Sequence, residues 1–173
     1  MPPPWIKSTQ NKLRNTINKY NKNLSPLGLR VIKHGNPNMF NIVYGNGNRK
    51  SNIRVAANPY KLSANLYGGG THPNNRGKGI GLALRTFAVA VLRNAGYVKV
   101  THQGITMQNR NNASRKKTGN VPISTHIVRK YIGFRPVGNA ANYRSVWRDN
   151  SSRLKKLKIA EQISRNKLTA LRK

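Results

Sequence analysis

The residues with the clearest chemical potential form a glycine-rich run at the head of an apolar stretch. Arg76-Gly77-Lys78-Gly79-Ile80-Gly81 leads directly into Leu82-Ala83-Leu84-Arg85-Thr86-Phe87-Ala88-Val89-Ala90-Val91-Leu92-Arg93, which reads as a largely buried helix ended by Asn94 and Gly96. Glycines at 77, 79 and 81 leave several backbone N–H groups unobstructed at the positive end of the helix dipole, which is how a chain cradles a phosphate. Arg76 and Lys78 add charge at the same point. Two other phosphate motifs fail on spacing. No Lys-Ser or Lys-Thr stands where a P-loop needs one, and the GxGxG rhythm is not the dinucleotide GxGxxG, with no acid about 20 positions on to hold a ribose. Taken alone, the three glycines would equally serve a tight turn before a core helix.

Composition removes most other chemistry. The 173 residues hold 33 Lys+Arg against 2 Asp+Glu, a formal charge of +31 with neutral histidines, and no cysteine. Asp149 and Glu161 are the only acids and lie near the C-terminus, which eliminates hydrolysis by a carboxylate pair. Without cysteine there is no disulfide, thiolate metal site or Cys nucleophile, and four scattered histidines with two acids give no metal cage, so no metal is expected. No run approaches the roughly 18 apolar residues of a membrane span, and Met1-Pro2-Pro3-Pro4-Trp5 lacks the apolar stretch of a secretory signal. The expectation is therefore a chain without a transmembrane segment and not exported through a signal peptide.

A charge of this size without local carboxylates to pair with suits a polyanionic partner. The bases are spread along the chain, which points to contact with phosphate backbone without strong base readout. Candidate contacts are Arg110, Arg115, Lys116 and Lys117 in the polar stretch 108–120, and Arg153, Lys155, Lys156 and Lys158 near the C-terminus. Acidic protein surfaces within a large assembly are the other partner this charge fits.

Several elements must position the loop. Ser8 is placed to cap a helix carrying Leu13, Ile17 and Tyr20, with the proline run before it arguing against helix at the extreme N-terminus. Extended segments follow at 29–33, 39–44 and 53–57, with Gly45-Asn46-Gly47-Asn48 as hairpin chemistry between the second and third. A fourth strand begins at 65–67 and runs into Gly68-Gly69-Gly70, and a fifth covers 97–101. A short helix at 125–132 and strands at 134–137 and 143–147 precede a last helix, capped by Ser151 or Ser152, with Leu154, Leu157, Ala160, Ile163 and Leu168 on one stripe.

Two motifs together resemble the GNAT superfamily of N-acetyltransferases. Arg76-Gly77-Lys78-Gly79-Ile80-Gly81 matches that family's pyrophosphate loop, preceded by a similar His72-Pro73-Asn74-Asn75 approach. Tyr131-Ile132-Gly133-Phe134-Arg135-Pro136-Val137-Gly138 is similar to its Gly-Phe helix-to-strand junction. The resemblance covers roughly 29–148, with an insertion at 108–120. It implies an α+β fold in α/β/α layers, with a mixed, mostly antiparallel twisted sheet and flanking helices. Residues 1–28 and 149–173 would be basic helical extensions.

The resemblance further implies that Arg76, Gly77, Lys78, Gly79, Ile80 and Gly81 hold the pyrophosphate of acetyl-CoA, and that an amine attacks the thioester between two splayed central strands. The family often uses a glutamate to route the amine's proton and a tyrosine four residues before the junction glycine. This chain departs from both: no acid falls within the matched strands, and the tyrosine position is Arg129. His102 and Tyr131 are the remaining catalytic candidates, although α-helical geometry turns Tyr131 about 200° from Arg129. The charge would also repel cationic acceptors. Two expectations follow. One is a GNAT-fold structural component of a nucleic-acid-containing particle, a virion capsid or core protein, with a vestigial or phosphate-binding loop. The alternative is an active acetyl-CoA-dependent N-acetyltransferase.

Overall fold

The computed structural model describes residues 1–104, 122–138 and 143–173. Helix α1 (Pro4–Leu24) starts before Ser8, with Pro3 as N-cap and Pro4 in the first turn. That corrects the expectation of a proline-blocked N-terminus. A first-turn proline lacks only an N–H that would have no partner there, and its fixed φ is already helical. The helix buries Ile6, Leu13, Ile17 and Leu24 on one stripe, and Tyr20 is half-buried beside them.

Among the described residues seven strands form one sheet: β1 (Leu29–Lys33), β2 (Met39–Tyr44), β3 (Ser51–Asn58), β4 (Ser63–Gly70), β5 (Lys99–Gln103), β6 (Arg135–Pro136) and β7 (Arg144–Arg148), in spatial order β1-β2-β3-β4-β5-β7-β6. Every neighbouring pair is antiparallel except β4 and β5, which are parallel. A parallel pair needs a crossover, and helix α2 (Ile80–Asn94) supplies it. The β2–β3 connection is a hairpin, as its glycines and asparagines suggest, although it takes residues 45–50 with a short 3-10 turn at Gly47–Arg49. Strand β5 starts two residues later than the pattern suggests, because the chain is still leaving α2 through Gly96 at φ +94° and Tyr97, whose N–H bonds Leu92 O at 3.0 Å.

Strand alternation sorts the sheet into two faces. Leu29 and Val31, Phe40 and Ile42, Ile53 and Val55, Ala64 and Leu66, and Val100 and Trp147 point to one side and join a single apolar cluster with α1, α2 and the C-terminal helix α4 (Ser151–Ala170). Residues 1–28 and 149–173 thus contribute to the same core as 29–148. Helix α2 is enclosed all round, and Ile80 and every residue from Leu82 to Leu92, Arg85 and Thr86 included, is buried. The sheet covers one side of it and α4 the other. Arg93 near its end bonds Asp149 at 3.3 Å, while Lys167 lies against Gly79 at its start, so α4 runs antiparallel along it. The expected mixed, mostly antiparallel sheet with flanking helices is present, with α4 stacked on α2. Asn150, not Ser151 or Ser152, caps α4: its backbone is extended and its side-chain oxygen accepts from Arg153 N at 2.9 Å. Among the described residues no helix is long and apolar enough to cross a membrane.

Between β5 and β6 lies helix α3 (Ile123–Ile127), which widens into one π turn at Val128–Ile132, where Phe134 N reaches back to Val128 O at 3.0 Å.

Because α4 is the outer cover of α2, shaving its contact residue Leu157 to Ala is expected to cost about 2–5 kcal/mol of unfolding free energy in a urea titration. A change below about 0.5 kcal/mol would show that α4 is not packed there.

Candidate functional site

The site begins where the two parallel strands part. Strands β4 and β5 pair from Ser63 with Lys99 to Leu66 with His102, and no further. Beyond that point β4 continues to Gly70, paired with β3 alone among the described residues. Between Arg54 opposite Tyr67 and Asn52 opposite Gly70, β4 places two residues, Gly68 and Gly69, against the single Ile53. Such a bulge bends its strand and increases the local twist just beyond the last pair with β5, and the place where the two strands cease to pair is called the slot. Glycine is required at 69, because a Cβ there would collide with Asn52 O.

The glycine loop closes the upper end of this slot. Its approach is fixed on buried Ser51, whose Oγ accepts from His72 N and from Asn75 Nδ2, both at 2.9 Å. Asn75 Nδ2 also donates to Arg49 O, and Asn74 N to His72 Nδ1. Gly77 and Gly79 have φ of +74° and +80°, a region that side chains avoid, and Gly79 is the N-cap of α2 with no capping side chain. The first-turn amides of α2 therefore have no intrahelical partner. Gly81 is helical, and a Cβ on it would lie 3.0 Å from Thr71 Oγ1. Arg76, Gly77 and Lys78 are exposed, whereas the Ile80 side chain is in the core and leaves only its backbone to the loop. A third cation joins them: Lys167 crosses the loop so closely that a Cβ on Gly79 would come within 2.5 Å of its Cδ. Cations at a helix N-terminus oppose the dipole unless an anion lies between them.

Beneath the loop sits a buried polar group. Arg85 is 7% exposed, its Nη1 donates to Gly81 O at 2.9 Å, and its Nε has no partner among the described residues. Burial alone lowers its pKa to about 10, so it stays charged at neutral pH with no carboxylate beside it. His102, at the end of the β4–β5 pairing, is 3% exposed, with its ring edge-on to Phe134 and Nδ1 unpartnered among the described residues. Burial, then Arg85 and Arg129, pushes its pKa down to about 3. Thr125 Oγ1 is buried next to Gly104 and has no partner among the described residues. Arg129 reaches β7, donating from Nε to Ser145 Oγ at 2.7 Å and from Nη2 to Arg144 O at 3.4 Å.

The structure therefore gathers Arg76 to Gly81 at the start of α2 and sets His102 at the end of the strand pairing below. His102 is a neutral imidazole far from the pKa near 7 that suits a general base. Tyr131 is 37% exposed on the π turn, with Lys130 Nζ 5.1 Å from its ring centre, and no hydrogen bond joins it to the slot. The wider turn also replaces the α-helical spacing from which its angle to Arg129 was reckoned. Lys155, Lys156 and Lys158 are exposed along α4, and Arg153 lies at its start, so these four do not gather at the loop. Arg110, Arg115, Lys116 and Lys117 fall outside the described residues. Arg85 had one legible signal, a lone cation in an apolar helical run. Lys167, Ser51 and Gly69 join the site through contacts distant in sequence or through a bulge, which no local pattern announces.

The sheet order, the single parallel pair bridged by α2 and the glycine loop at the start of that helix give the mixed, mostly antiparallel α+β architecture expected from the sequence. No protein-family model matches the chain, and no curated protein matches it in sequence. Among solved structures it is similar to an aminoglycoside 6'-N-acetyltransferase complexed with coenzyme A, at 12% identity and a TM-score of 0.47 over 83% of this chain and 89% of that one. It is similar to Tetrahymena GCN5 at 11% identity and 0.41, over 83% and 88%. It is also similar to BjaI, a CoA-dependent acyl-homoserine lactone synthase with SAM and isopentyl-CoA, at 11% identity and 0.44, over 92% and 82%.

The pKa of His102 sets a pH dependence. An unfolded chain takes up a proton near pH 6.5 that the folded chain refuses until about pH 3, so the stability held above pH 6.5 is lost as pH falls through that window. Between pH 7 and 5 the wild type is expected to lose about 2 kcal/mol more than a His102→Gln variant in chemical denaturation. Parallel acid limbs for the two proteins would contradict a buried neutral imidazole.

Proposed function

We propose that the chain is an acyl-CoA-dependent N-acyltransferase with acetyl-CoA as donor. The observation that carries this reading is the slot: parallel strands that separate at Leu66 and His102, with an uncapped helix N-terminus in a glycine loop at its mouth. The residues present fit such a cofactor. Gly77 and Gly79 hold a backbone that no side chain obstructs, and three cations surround it without an acid to neutralise them. Arg85 Nε, below the loop, and Thr125 Oγ1, beside Gly104 at the end of β5, are buried donors without acceptors among the described residues, which a carbonyl or anionic group would satisfy. The structural particle role expected from charge has no comparable support at this site.

In this reading Arg76, Lys78, Lys167 and the amides of Gly79 to Gly81 hold the pyrophosphate, and the slot orients the acyl arm between β4 and β5. Acetyl-CoA supplies a thioester activated toward amines. Arg85 stabilises negative charge that develops in the slot, where a guanidinium is worth more than in water. No carboxylate is needed to take the amine's proton. The burial that holds His102 neutral, aided by Arg85 and Arg129, lowers the pKa of an amine placed beside it in the same way, so the acceptor arrives as the neutral amine, and the proton its nitrogen sheds on acylation passes to the departing thiolate.

Isothermal calorimetry is expected to give micromolar acetyl-CoA binding that the exposed double variant Arg76→Glu/Lys78→Glu weakens at least about tenfold, two lost charge contacts of about 1 kcal/mol each. Thiol release with a panel of amines should follow a pH profile whose midpoint lies below the free amine's pKa. No detectable binding at millimolar acetyl-CoA would remove the proposal.

A further inference from the structure

The sheet face turned away from α2 holds a second concentration of charge. Lys99, Arg135, Arg144, Arg148 and Arg153 line a depression of about 300 Å³ whose apolar lining is Val137 and Val146. Register sets these cations close together: Lys99 lies directly opposite Arg148, Arg135 opposite Val146, and Arg144 two residues along from Val146. Neighbouring strands are about 4.8 Å apart and alternate residues about 7 Å, so these are adjacent side chains on one face. Like charges placed opposite one another destabilise a strand pair.

Neither acid of the chain relieves this. Asp149, although next to Arg148, is turned to Arg93 on α2, and Glu161 lies among Arg165, Arg93 and Lys158. Burial and then the charges of Arg135 and Arg148 make Arg153 harder to protonate, the mark of a crowded cationic pocket. Arg135, Arg144 and Arg148 are exposed, and no described helix covers this face. Exposed Arg54 on β3 and Arg30 on β1 extend the positive face across the sheet, beyond the reach of any single small anion.

We propose that this face binds a nucleic-acid strand through its phosphodiester backbone, seated in the groove formed by β5, β6, β7 and the start of α4. The groove is lined by arginines, a lysine and two valines, with no aromatic ring on which a base would stack, so recognition is of backbone rather than sequence. It is separate from the acyl slot: Lys99 and His102 stand at opposite ends of β5 and on opposite faces. The inference rests on register and charge, and not on the acyltransferase reading.

The test is fluorescence anisotropy of the full chain with a labelled, mixed-sequence single-stranded oligonucleotide across a salt series. The groove triple variant Arg135→Ala/Arg144→Ala/Arg148→Ala is compared with Lys7→Ala/Lys12→Ala/Lys22→Ala, an equal change of charge on exposed positions of α1. The groove triple should bind at least about tenfold more weakly than the control triple, and its log–log salt slope should be shallower than wild type by about 2, from three lost contacts at about 0.7 each. Single Arg148→Gln and Arg135→Gln variants, each lowering the slope by about 0.7, give the same answer should the triple fail to fold. Acetyl-CoA binding should be unchanged in all of them. Equal weakening by both triples, or stronger competition for the groove by phosphatidylserine vesicles or inorganic polyphosphate than by unlabelled oligonucleotide at matched charge, would overturn the proposal.

Discussion

A helix with no solvent-facing side has to be covered from every direction, and that requirement organises this molecule. From Leu82 to Leu92 helix α2 exposes nothing, so the sheet, α1, the turn after α3 and α4 all close on it. Burying it fixes its N-terminus at the end of β4, where Gly70 and Thr71 lead into the loop. It also fixes Arg85, one turn in, beneath that loop with its guanidinium on Gly81 O. The site's geometry is thus a by-product of core packing. The first-turn amides cannot drift, because moving them would uncover Ile80 and Leu84, each worth about 2–3 kcal/mol buried.

Charge supplies the second constraint. With two carboxylates for 33 cations, almost every Lys and Arg must reach solvent or meet an external anion. Most do reach solvent. Among the described residues only Arg85 is buried, and cations crowd together in two places: around the α2 N-terminus above it, and in the groove behind β5 and β7. A buried unpaired guanidinium and the directly opposed Lys99 and Arg148, with further arginines beside them, are both unfavourable in an isolated chain. Their persistence is understandable if each place meets its own anion. His102 feels the same field, since its burial, with Arg85 and Arg129 adding to it, keeps it neutral down to about pH 3.

Local rules made much of this legible. The strand segments at 29–33 and 39–44, the α2 helix and the loop glycines are written in hydrophobic periodicity and turn chemistry, and Gly77 and Gly79 do take the positive φ that their positions suggest. What escaped was set by distant contacts or by competition between rules. Pro4 reads as a helix breaker until it is seen in the first turn, and Asn150 outcompetes two serines as cap because its backbone is already extended. The π turn at Val128–Ile132 has no simple periodic signature, so the angle assigned to Tyr131 was drawn from the wrong helix. Lys167 arrives over Gly79 only because α4 lies antiparallel to α2, an arrangement that involves the whole fold. The open, arginine-bearing face of the sheet escaped for the same reason: Lys99, Arg135, Arg144 and Arg148 are scattered in sequence and meet only through register.

The central claim is that the gap between β4 and β5, with the loop above it, is where the cofactor binds, and residue-resolved NMR tests it most directly. On titration of a ¹⁵N-labelled chain with coenzyme A, amide shifts should concentrate at Lys78, Gly79 and Gly81, along Tyr67 to Gly70, and at His102. Shifts confined instead to Lys99, Arg135, Arg144 and Arg148 would mean that the ligand is merely a polyanion on the basic face, and would contradict the slot.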